Sequence, residues 1–309
     1  MRFFLTTLLI LAALGPAAAQ ELTLRLRPEE GRTYRTRIVT EIDVTQTVMG
    51  QSMDNHQVTT SVMAYEILSV DEEGVASTRV TYESMKFQQT GPIGRIEYDS
   101  SNPPAIMDEA TRAYSVMVGR SFHMKLGPDG SVSEVEGMAE LMEELLADIP
   151  TPDFTASMRG SIEDMFGDDM FETGIGGLMF PGHAVSVGDT WTGIGSAQGV
   201  VPMILATTWT LSDRRDGIAY MDVRSVVGEG EPGVIEMGPM SVTYDMSGGA
   251  SGTVEIDERT GWTIRSSMVG AYSGTTTIDM PGLPGGPMTS PLTMTISTAA
   301  ELLPDRGND

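Results

Sequence analysis

The sequence predicts a mainly β protein of the α+β class. Long curved antiparallel strands should form a half-barrel or strongly bent sheet, with a helical insert packed against it. Three observations predict this. Alternating apolar and polar segments joined by short turns fill residues 31–99, and the pattern returns beyond Gly188. The joints are rich in Gly, Asp and Pro, which supply positive φ or preset a turn. Between the two β stretches lies a run with the three-four apolar spacing of amphipathic helices.

The chain opens with Arg2, an apolar run over residues 3–14, and Ala17-Ala18-Ala19 before Gln20. That is the pattern of a cleaved secretory signal over residues 1–19. The apolar run is too short for a stable bilayer anchor, and no later segment is long and apolar enough for a transmembrane helix. The expectation is an exported, soluble protein, in the periplasm or outside the cell.

A first β-meander is expected over residues 20–136. Leu22, Leu24 and Leu26 alternate with polar residues in a half-buried strand. From Tyr34 the alternation resumes, and Gly50 marks a hairpin. The Asp71-Glu72-Glu73-Gly74 turn leads into a segment whose apolar parity switches from Val80 and Tyr82 to Met85 and Phe87. A β-bulge makes such a switch and lets a sheet curl. Gly91-Pro92-Ile93-Gly94 predicts another hairpin, residues 108–118 a helix, and Gly127-Pro128-Asp129-Gly130 a tight turn between two short strands.

The helical insert is expected over residues 137–181. Met138, Leu141, Met142 and Leu145 fall on one face of a first helix, and Met158, Ile162, Met165 and Phe166 on one face of a second. The second meander is expected over 182–303, with strands at 200–211, 218–227, 234–246, 253–257, 262–278 and 288–302, and a frayed tail at 304–309. Residues 20–303 read as one domain. Four landmarks recur in order: Gly31-Arg32-Thr33-Tyr34 with Gly188-Asp189-Thr190-Trp191, Leu68-Ser69 with Leu211-Ser212, Gly74-Val75-Ala76 with Gly217-Ile218-Ala219, and Ile96-Glu97-Tyr98-Asp99 with Val254-Glu255-Ile256-Asp257. Either one meander is used twice, or ordinary turn chemistry repeats itself.

Composition narrows the partners. With 19 Lys+Arg against 43 Asp+Glu, the formal net charge is −24, which disfavours nucleic acid and anionic lipid surfaces because both need clustered bases. There is no cysteine, so disulfides, thiolate metal sites and a lipid-modified cysteine are all excluded.

The search for chemistry finds no nucleophile elbow, zinc-protease helix, phosphate loop with its lysine, or EF-hand. Ser121 and His123 share a strand face, yet nothing adds an oxyanion hole. Glu163, Asp164, Asp168, Asp169 and Glu172 are dense enough to hold a cation, though their order matches no known loop. The 23 methionines mostly sit on apolar faces, where they fill cores or line adaptable greasy pockets. No catalytic residue, metal ligand or cofactor is assigned.

Val185-Ser186-Val187-Gly188-Asp189-Thr190-Trp191, with the Gly31-x-Thr33-Tyr34 opening, resembles an uncharacterised family of secreted bacterial β proteins. The Val254-x-Ile256-Asp257-x-x-Thr260-Gly261 turn is similar to one in the periplasmic lipoprotein-carrier superfamily. That resemblance implies a half-barrel closed by helices over a greasy cavity, and it carries no catalytic residues across. The resulting expectation is a non-catalytic protein that binds a lipid or other apolar ligand on its concave face. The pocket lining would come from Met138, Leu141, Met142, Leu145, Met158, Ile162, Met165 and Phe166. The alternatives are an envelope interaction or scaffold module, and a carboxylate-based hydrolase.

Overall fold

The computed structural model describes residues 21–304, apart from 49, 93, 105–108, 139, 142–178, 198–200, 202, 229, 231, 238, 281 and 283–285. The elements in order are β1 (Leu22–Thr23), β2 (Thr33–Val48), β3 (Gln51–Val70), β4 (Ala76–Gly91), β5 (Gly94–Asp99), α1 (Glu109–Met117), β6 (Ser121–Leu126), β7 (Val132–Glu136), β8 (Ala184–Val185), β9 (Thr190–Ala197), β10 (Met203–Arg215), β11 (Ile218–Val227), β12 (Gly233–Met237), β13 (Met240–Asp257), β14 (Thr263–Asp279) and β15 (Met288–Leu302).

Thirteen strands form one sheet in the order β7-β6-β4-β3-β2-β15-β14-β13-β11-β10-β9, with β5 added on β4 and β12 on β13. Every pairing is antiparallel. The end strands β7 and β9 do not pair, so the sheet is open. The mainly β class and the long antiparallel strands are as the alternation predicts.

The two halves are built alike. Tyr34 faces Tyr65 across β2 and β3, and Trp191 faces Trp209 across β9 and β10. The Gly31 N–H donates to the Ile67 carbonyl at 2.8 Å, and the Gly188 N–H donates to the Leu211 carbonyl at 2.7 Å. Ile67 N–H returns a bond to Arg32 at 2.9 Å, and Leu211 N–H returns one to Asp189 at 3.0 Å. Just beyond, each second strand carries a bulge, between Ile67 and Ser69 and between Leu211 and Asp213. Two expected landmarks are corrected, however: in the second, Leu211 corresponds to Ile67, so Leu68 matches Ser212, and the fourth is misplaced. Ala219 pairs with Ile256, and the equivalent partner of Ala76 is Leu126 on β6. Ile96-Glu97-Tyr98-Asp99 lies on β5, a return strand near the far end of β4.

The sheet curls because its two ends are tied together at the base. The Phe180 N–H donates to the Asp129 carbonyl at 2.9 Å, in the turn between β6 and β7, and the Trp191 indole N–H donates to the Met179 carbonyl at 2.8 Å, on β9. Two consecutive residues thus bridge opposite ends of the strand order. The N-terminal segment plugs the same base. Leu22 pairs with Val185, the Leu26 N–H reaches the Pro128 carbonyl at 2.7 Å, and the Arg27 N–H reaches the Thr260 carbonyl at 2.7 Å. Leu22, Leu24 and Leu26 are buried as their alternation predicts, although only Leu22–Thr23 forms a ladder.

Burial puts Tyr34, Tyr65, Trp209, Leu211, Ile256 and Trp262 in one cluster at this base. A second cluster, with Met203, Met246, Tyr272, Leu292 and Met294, lies farther along the strands. A third joins Met85, Phe87 and Tyr98, on which Tyr114 and Met117 of α1 pack. The Phe87 and Tyr114 rings stack with centroids 4.2 Å apart.

Several strand boundaries differ from the expectation. The β4 bulge falls where the parity switch predicts, with Met63 opposite Tyr82 and Val62 opposite Ser84. The expected strand at 234–246 is instead the β12–β13 hairpin, with Met237 opposite Met240. The expected break before residue 253 is absent, and β13 runs through Gly248, Gly249 and Gly252. These glycines fall between the two expected strands, but they serve close strand contact. A Cβ on Gly252 would stand 1.9 Å from the Ser267 carbonyl oxygen, and one on Gly274 1.9 Å from that of Asp245.

Candidate functional site

The register fixes what each face of the sheet offers. On the core-facing side, Thr40, Ile42 and Val44 of β2 pair with Thr298, Ile296 and Met294 of β15. These in turn pair with Met268, Gly270 and Tyr272 of β14. The other side carries Arg37 beside Glu301, Glu41 beside Ser297, and Asp43 beside Thr295. The first set is apolar or uncharged and the second polar, as strict alternation requires.

The core-facing side is incompletely filled. Ile38, Thr40, Ile42 and Val44 are only half-buried, although they face inward. At the base end of these strands a cavity of about 110 Å³ lies among Leu26, Ile38, Tyr65, Phe180, Val254 and Trp262, with Thr36 and Ser266 as neutral polar members. A void of this order with an apolar lining suits a small apolar group better than water. Trp262 forms one wall, stacked on Tyr34 at 4.1 Å and edge-on to Tyr65 at 5.4 Å. Burial pushes the Tyr65 phenol far above its ordinary value, and its hydroxyl donates to the Met63 sulfur at 3.7 Å. The phenol therefore stands as a neutral part of the cavity wall.

Met138 and Leu141 are both buried in the base cluster, in a helical turn after β7. Met142, Leu145, Met158, Ile162, Met165 and Phe166 lie outside the described residues, as does the acidic run 163–172. Among the described residues the walls of the cavity come from β2, β3, β13, β14, β15 and the turns at the base. Part of this could be read in the sequence, since Ile38 and Trp262 sit on the apolar side of their strands. The convergence of Leu26, Phe180 and Trp262 could not, because it depends on the closure of the base.

Ser121 and His123 do share a face, the outer one, but they serve separate partners. The Ser121 hydroxyl meets that of Thr81 at 2.7 Å, and His123 Nε2 accepts from Arg79 Nε at 3.4 Å. They form no nucleophile–base pair. One group of metal-ligating side chains gathers on the outer face among the described residues, with Glu41, Asp43 and His56 within 4.8 Å of one another. All three are exposed, and His56 Nδ1 is 2.8 Å from Asp43, an ordinary cross-strand hydrogen bond. No described helix is long and apolar enough to cross a membrane.

No curated protein matches the sequence. The model of a family described as of unknown function, DUF6263, matches residues 73–263. Among solved structures, a lipovitellin studied for lipid–protein interactions is 7% identical over 89% of this chain, with a TM-score of 0.46. The chain spans 25% of that lipovitellin. DynF, from the dynemicin biosynthesis pathway of Micromonospora chersina, is 9% identical over 94% of this chain and 89% of its own, with a TM-score of 0.24. OmpT, an outer membrane protein of Vibrio cholerae, is 6% identical over 90% of this chain and 99% of its own, with a TM-score of 0.17. At these scores none of the three bears on a ligand.

Proposed function

The chain belongs to DUF6263, a family of unknown function, and from its geometry we propose that it is an exported, non-catalytic protein that holds a lipid or other apolar ligand against the concave face of its sheet. The observation that supports this is the unfilled inner face. Half-buried Ile38, Ile42 and Val44 run from the cavity at Trp262 toward the second apolar cluster. Protein interiors normally close such gaps, and concave, mostly apolar sites with a few neutral polar groups are what small-molecule ligands use.

The test uses the full chain purified without detergent. Organic extraction followed by mass spectrometry should release a bound lipid. A brominated acyl chain should quench the Trp262 emission of a Trp191→Phe, Trp209→Phe protein. An empty extract together with unquenched Trp262 would overturn the proposal. An envelope scaffold role would leave both readouts blank, and a hydrolase would turn over an ester probe.

A further inference from the structure

We infer that the ligand of this trough is an uncharged lipid, neither a fatty-acid anion nor a cationic amphiphile. The inference rests on the ligand-binding reading above and narrows its chemistry. The chain carries 43 acidic residues and 19 Lys+Arg, yet the inward positions of β2, β15 and β14 hold none of them. The row Ile42, Ile296, Gly270 is followed by Val44, Met294, Tyr272. The ions sit one residue away on the outer side, as in the row Arg37, Glu301, Arg265.

The same segregation holds across β3, β4, β11 and β13. Among the described strands the inward-facing ion is Arg214, one step beyond the β10 bulge at the closed base, opposite Ala219. Glu258 takes up its guanidinium at 2.8 and 2.9 Å, so it is not free to meet a headgroup. The polar groups that do face inward are neutral: the hydroxyls of Thr40, Thr59 and Thr298, and the amides of Gln57 and Asn55. Asn55 Oδ1 is itself buried, packed toward Gly91 of β4, so it adds no charge to this face.

A charged headgroup drawn into this face would lose its hydration and meet no counter-ion, whereas an alcohol or ester would lose far less. The absence of inward charge therefore acts as a filter. Apolar chains of every headgroup contact the same walls, but ions meet an uncompensated desolvation cost.

The experiment titrates the delipidated full chain with hexadecanol, hexadecanoate and hexadecylammonium at neutral pH, following tryptophan emission. Hexadecanol should bind about tenfold or more tightly than either ion. Hexadecanoate should gain on hexadecanol as acid neutralises it. Equal or tighter binding of the ions would overturn the neutral class while leaving the trough as the binding site. Binding of none of the three would instead overturn the reading on which the inference rests. A Thr298→Lys variant, with Ile42→Lys as a second should the first not fold, should reverse the preference toward hexadecanoate. A folded variant that keeps the original order would show that the inner face does not set selectivity.

Discussion

The indole of Trp262 lies on the ring of Tyr34 with centroids 4.1 Å apart and planes 17° from parallel. Trp262 follows the β13–β14 turn, and Tyr34 lies near the start of β2, so this contact joins the second half to the start of the first. Both are almost fully buried, at 4% and 2% exposure, and the indole also bounds the cavity. Trp262→Ala should therefore lower stability by about 3–5 kcal/mol in urea unfolding, the usual range for deleting a large buried aromatic. Trp262→Phe should retain part of the stack and lose distinctly less. A negligible loss in the alanine variant would mean that the base of the sheet does not depend on this contact.

An ion pair at the base differs in kind from one on the outer face. Arg214 and Glu258 form a bidentate pair in which each side chain is 18% exposed. Glu258→Gln would leave the guanidinium half-desolvated with a neutral partner, at a cost of about 1–3 kcal/mol. Arg37 with Glu301, at 48% and 45% exposure, should contribute less than about 1 kcal/mol, because water screens it. Chemical denaturation of Glu258→Gln beside Glu301→Gln checks the contrast, and equal losses would remove it.

Much of the fold was legible because its signals are local. The β4 bulge is written in the parity of Val80, Tyr82, Met85 and Phe87, and the β6–β7 hairpin in Gly127-Pro128-Asp129-Gly130. The likeness of the two halves was partly legible. Gly31 and Gly188 mark equivalent strand starts, but the β5 return strand displaced the last landmark from β6 to residues of similar pattern. What stayed hidden depends on contacts between distant segments. Nothing near Met179 or Phe180 announces that they bridge Asp129 to Trp191. The glycines of β13 fall in an expected gap between two strands, since the sequence does not say that a neighbouring carbonyl fills the space of the missing Cβ.

That hidden role can be tested directly. Gly252→Ala and Gly274→Ala would each place a methyl 1.9 Å from a backbone carbonyl oxygen, so two strands must separate. Gly50 and Gly94 have φ of 79° and 111° with no atom within 4 Å of an added Cβ. Their alanine variants should cost only the left-handed backbone term of about 1–2 kcal/mol. The strand glycines should cost more, in the range of overpacked cores or beyond, about 3 kcal/mol. Thermal unfolding of the four variants gives the ranking, and reversal of the two pairs would refute the close-approach account.

The protein should respond to pH at both extremes through groups on β5 and α1. At acid pH the group is Asp99, held at about 2 by the Lys86 ammonium at 2.7 Å, then by the Ser101 hydroxyl and amide at 2.6 and 2.9 Å. Its folded value lies below the ordinary 3.8, so its contribution to stability is present above 3.8 and is lost as pH falls through about 2. Lys86→Met should raise the Asp99 value in a carboxyl NMR titration. At alkaline pH the group is Tyr114, which burial against Phe87 pushes up to about 12. Its neutral form is the one the fold favours, so its contribution is complete below the ordinary 10 and declines as pH rises from there through about 12. A residue-resolved NMR titration of the tyrosine rings, with Tyr114→Phe assigning the signal, should show Tyr114 ionising late beside the more deeply buried Tyr65, whereas an ordinary titration of Tyr114 would contradict the packing of α1 on β4.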